Sequence, residues 1–70
     1  MPASASTLAR TLLTLLRRLE AGWQTLDQLA QAVGRHPRRV RYLLAALLEA
    51  GVRIETDHAV SPPMYRVRRW

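Results

Sequence analysis

The chain has three glycines, Gly22, Gly34 and Gly51, and each follows a run of apolar residues at helical spacing. Glycine pays no β-carbon penalty for the left-handed conformation that commonly ends a helix. The three glycines therefore divide the chain up to residue 51 into three helical segments. In the first, Leu8, Leu12, Leu15, Leu16 and Leu19 define a buried stripe over about Leu8 to Ala21, with Ser6 or Thr7 as cap. The second is short, and its inner face is Leu26, Leu29, Ala30 and Val33. The third points Val40, Leu43, Leu44 and Leu47 inward, with Ala50 as a further candidate. Gly22 and Gly51 are expected in the left-handed conformation, and Gly34 stops the second helix.

The helix starts are marked as clearly as the ends. Thr25-Leu26-Asp27-Gln28 reads as a capping box, in which the Thr25 hydroxyl accepts from a first-turn amide and Gln28 reaches back. Pro37 suits the first position of the third helix, where its missing amide hydrogen costs nothing. That makes His36 the N-cap, a position where Ser or Thr is usual. Trp23-Gln24 is an extended link, a candidate one-rung strand, with Trp23 expected in the core at the base of the sheet.

After Gly51 the period falls to two. Val52-Arg53-Ile54-Glu55 and Met64-Tyr65-Arg66-Val67 alternate, which predicts two antiparallel strands. Residues 56–63 join them, and Pro62 and Pro63 keep that loop out of the ladder. The expected fold is mainly α with a small β-hairpin: helix, short helix, turn, longer helix, hairpin. That is the order of a three-helix winged helix-turn-helix. The domain is expected over residues 7–67, with a flexible N-terminus at 1–6 and a basic tail at 68–70.

Seventy residues, 49% of them apolar, suffice for one core near the lower size limit for independent folding. The absence of Cys excludes a disulfide scaffold, a Cys-based zinc site and a thiol nucleophile. No apolar run has the length of a membrane span, and the first residues lack the order of a signal peptide. These features lead us to expect a cytoplasmic protein that makes no membrane contact.

Charge narrows the function. Eleven basic residues, every one Arg, against five acidic ones give a net charge of +6. No acid occurs from Gln28 to Leu48, a span that contains Arg35, Arg38, Arg39 and Arg41. A cluster of one sign on a small domain points to a polyanionic partner. Two helices joined by a tight Gly-containing turn are what a helix-turn-helix requires, with the second helix placed to enter the major groove. Arg38 and Arg41 fall on its exposed face, with Tyr42 beside them. An Arg fork spanning O6 and N7 of guanine gives roughly 1–3 kcal/mol of discrimination. Arg35 and Arg39 flank the turn and suit phosphates. Tyr42 can donate to phosphate or pack on a sugar, and Ala45 is small enough to meet a thymine methyl.

The stretch from Leu12 to Val67 resembles the N-terminal DNA-binding domains of the biotin-operon repressor and of bacterial regulators carrying a WYL domain. The resemblance rests on Thr25, Leu29, Ala30, Gly34, Arg38 or Arg39 with Val40, then Leu47, Gly51, Val52 and Ile54. It implies a winged helix-turn-helix that binds double-stranded DNA in a bacterial or phage transcription regulator, with the helix at about 37–50 in the major groove. The 52–67 hairpin would be the wing, and Thr25, Arg35, His36, Arg38, Arg39, Arg41, Tyr42, Ala45, Arg66 and Arg68 would contact DNA. Two departures stand out: His36-Pro37 replaces Ser-Arg, and Pro62-Pro63 replaces Gly in the wing.

Other functions have less behind them. His36 and His58 are the only imidazoles and make no metal-site spacing. Glu55 and Asp57 are read as loop solvation, and no nucleophile–base pair or phosphate-cradling glycine loop suggests an enzyme or a cofactor. Leu13 and Leu48 fall off their stripes and offer a surface for homodimer formation, which would supply two half-site contacts. The alternative function is a protein–protein module whose Arg face docks on an acidic partner.

Overall fold

The computed structural model describes residues 3–68. Helix α1 runs Ala3–Ala21, strand β1 Gln24–Thr25, helix α2 Leu26–Val33, helix α3 Pro37–Glu49, and strands β2 and β3 Ile54–Asp57 and Met64–Val67. The architecture is mainly α with a small antiparallel sheet, in a winged-helix-like arrangement. The sheet order is β1-β3-β2, so β3 is central and the two-residue β1 forms a true third strand. Gln24 pairs with Tyr65, while Ile54 pairs with Val67 and Asp57 with Met64.

Leu15, Leu19, Leu29, Ala30, Val40, Leu43, Leu44 and Leu47 form the core. Every helix contributes to it, as the apolar spacing predicts. Tyr65 and Val67, two residues apart on β3, pack against this cluster together with Ile54 and Val52. The intervening Arg66 is exposed, consistent with the alternation of a strand.

Several expectations are corrected. Helix α1 begins at Ala3, so Ser6 and Thr7 lie within it and neither is its cap. Residues 3–6 form the first part of this helix in backbone. Ala and Ser there carry no apolar signal, which is why the periodicity starts late. Leu8 is 42% exposed although it continues the stripe. Its helix has 19 residues and packs on the eight-residue α2 and the four-residue β3, which are too short to cover its full length. Thr11 occupies the stripe instead, buried with its hydroxyl donating to the Thr7 carbonyl at 2.9 Å. Ala50 is exposed.

Gly22 has φ of 150°, positive but away from the left-handed helical well expected of it. Strand β2 starts two residues later than expected, and α3 supplies the cause. The Val52 amide donates to the Leu47 carbonyl and the Gly51 amide to Leu48. This is a Schellman closure, with Gly51 at φ 99°. Val52 therefore belongs to the helix cap and cannot begin the ladder. Met1, Pro2, Arg69 and Trp70 lie outside the described residues, as does most of the expected 68–70 tail.

Candidate nucleic-acid interface

The turn between α2 and α3 is Gly34-Arg35-His36. Gly34 adopts φ 66° and ψ 37°, and its amide donates to the Ala30 carbonyl. The Arg35 amide donates to the same oxygen at 3.1 Å. The chain thus leaves α2 and re-enters a helix at Pro37 within three residues. His36 is the N-cap, as the proline predicts: its backbone is extended and its Nδ1 accepts from the Arg38 amide at 3.1 Å. A ring nitrogen that accepts carries no proton, so the neutral ring keeps its N–H at Nε2.

On α3, Val40, Leu43, Leu44 and Leu47 are buried, whereas Arg38, Arg39, Arg41, Tyr42 and Ala45 are exposed. At about 100° per residue, Arg38, Tyr42 and Ala45 form a central outward line, with Arg41 on one flank and Arg39 on the other. Each flank has its own surroundings. Arg41 lines a cleft of about 220 Å³ with Thr25, Asp27, Pro62, Pro63 and Tyr65, between the start of α2 and the base of the wing. On the opposite flank, Arg39, Tyr42, Arg38 and His36 line a shallower depression of about 470 Å³. There the Arg39 guanidinium carbon stands 5.4 Å from the centre of the Tyr42 ring.

Thr25 satisfies the capping box in both directions. Its hydroxyl accepts from the Gln28 amide at 3.1 Å, and its own amide donates to Gln28 Oε1 at 2.8 Å. The hydroxyl hydrogen remains available beside Arg41. Arg35, exposed in the turn, completes the basic group. Among the described residues, Arg35, Arg38, Arg39 and Arg41 make no ion pair.

Two expected contact residues stand apart from this group. Arg66 Nε donates to Glu55 Oε1 at 2.6 Å, and its guanidinium lies 4.4 Å from the centre of the Trp23 ring. That pairing also explains Trp23, which is half-buried beneath Arg66 where a core position was expected. Arg68 follows β3 at the end that pairs with Ile54, whereas Thr25 pairs with Met64 at the other end. At about 3.3 Å per residue, roughly 13 Å of strand separates Arg68 from Met64. The wing loop, 58–63, contains no arginine, and Asp57 Oδ1 accepts from the Ala59 amide at 2.9 Å.

Sequence reasoning missed Asp27 and the wing prolines as neighbours of Arg41. The first-turn acid on α2 was visible, but its approach to α3 depends on tertiary packing. Among the described residues, no group of three or more His, Asp or Glu could hold a metal ion, and no helix is long and apolar enough to cross a membrane. No family of known proteins, no curated protein and no solved structure matches the chain.

Proposed function

We propose that this domain binds double-stranded DNA sequence-specifically as part of a transcription regulator, with α3 in the major groove. One observation carries the reading: α3 has an ordinary apolar core face and an opposite face of arginines that make no ion pair among the described residues, directly after a three-residue turn. An isolated helix of that kind would be a solvated basic surface. Braced by α2 across a tight turn, it has the form that presents first-turn side chains to a groove of helix width.

Arg38 and Ala45 on the central line suit base edges. Arg41, between Thr25 and the wing base, suits the phosphodiester backbone, as does Arg35 in the turn. The wing, lacking arginine in its loop, serves as a brace beside Arg41, not as a charged minor-groove finger. Selection from a random duplex pool tests the proposal. An enriched motif is expected, palindromic if two copies bind together. Failure to enrich any motif would refute sequence-specific recognition.

A further inference from the structure

We infer that Tyr42 is a positioning residue: its ring holds Arg39 against the flank of α3, where the guanidinium clamps one phosphodiester of the bound strand. The inference rests on the DNA-binding reading and assigns Tyr42 a role within it. Tyr42 is 66% exposed, so burial does not account for an aromatic residue there. Its ring instead lies 5.4 Å from the Arg39 guanidinium carbon, an i, i+3 pair on one side of the helix. Stacking over the ring leaves the in-plane N–H groups of the guanidinium open to an acceptor.

Location decides which acceptor. Arg39 projects about 100° from Arg38 around the helix, toward a groove wall and away from the base edges. Groove walls are phosphodiester backbone. His36 lines the same depression, and its Nδ1 is committed to the Arg38 amide, which leaves Nε2–H as the remaining ring donor. A freely rotating arginine loses its conformational freedom on gripping a phosphate, and one already stacked loses less. The ring thereby raises affinity through Arg39.

The test is fluorescence anisotropy on a short random-sequence duplex across a salt series, because a phosphate clamp is blind to sequence. Arg39→Ala should weaken binding by roughly tenfold and reduce the magnitude of the salt slope by roughly 0.9. Tyr42→Ala should weaken binding less, by about two- to fivefold, while Tyr42→Phe, which keeps the ring, should bind like wild type. The Arg39→Ala/Tyr42→Ala double variant should be no weaker than Arg39→Ala alone. Both positions are exposed, and circular dichroism checks that each variant remains helical. Tyr42→Ala binding like wild type would overturn the inference. So would Tyr42→Phe as weak as Tyr42→Ala, or losses that multiply in the double variant. A wild-type chain that binds no duplex even at low salt would instead refute the DNA-binding reading, and this inference with it.

Discussion

Arg66 stands directly opposite Glu55 across the β2–β3 ladder and covers the Trp23 ring on its other side. Continuing the register that pairs Gln24 with Tyr65 brings Trp23, the residue before β1, level with Arg66, so one row runs from Glu55 on β2 through Arg66 on β3 to Trp23. An exposed ion pair contributes about 0.2–1 kcal/mol and an exposed cation–π contact about 0.5–1 kcal/mol. Arg66→Ala is therefore expected to lower unfolding free energy by about 1 kcal/mol in urea melts, with the salt slope of DNA binding unchanged. A variant with wild-type stability and a reduced slope would return Arg66 to the DNA-contacting set.

The turn depends on Gly34 at φ 66°, where an added β-carbon would meet no atom within 4 Å. Only backbone strain then opposes a substitution. Gly34→Ala should cost about 1–2 kcal/mol, and Gly34→Asn less, since Asn tolerates the left-handed region. Thermal melts that rank Ala above Asn would contradict this account of the turn.

His36 caps α3 through its ring, so the cap and not the imidazole is what stability requires. His36→Ala should lose about 1 kcal/mol, while His36→Ser or His36→Asn should match or exceed wild type. Equal melting temperatures for the alanine and serine variants would show that the ring cap contributes nothing.

Leu29 is fully buried on the short helix between α1 and α3. Leu29→Ala should cost about 2–5 kcal/mol. Chains of this size have only roughly 4–10 kcal/mol in total, so the variant should lose a large share of its stability and melt at least about 8 °C below wild type. A melting temperature within a few degrees of wild type would place the core elsewhere.

Much of this organisation is legible in the sequence because short-range chemistry sets it. The Thr25–Gln28 box, the His36-Pro37 entry and the Gly34 and Gly51 exits each involve residues within a few positions of one another. What escapes sequence reading is settled between distant segments. Leu8 continues a stripe that the facing elements do not cover. Within the candidate site, the exposed arginines of α3 follow from periodicity alone. The withdrawal of Arg66 toward Glu55 and Trp23 does not, because it depends on the register of three strands.

The most direct test of the central claim compares wild type with Arg38→Ala and Arg41→Ala on a selected site and on a scrambled duplex, by anisotropy across a salt series. Wild type should prefer the selected site and lose affinity steeply with salt. Arg38→Ala should erase most of that preference, and Arg41→Ala should reduce the magnitude of the salt slope by roughly 1 on both duplexes. If both variants bind with wild-type affinity, preference and slope, α3 is not the DNA-reading helix.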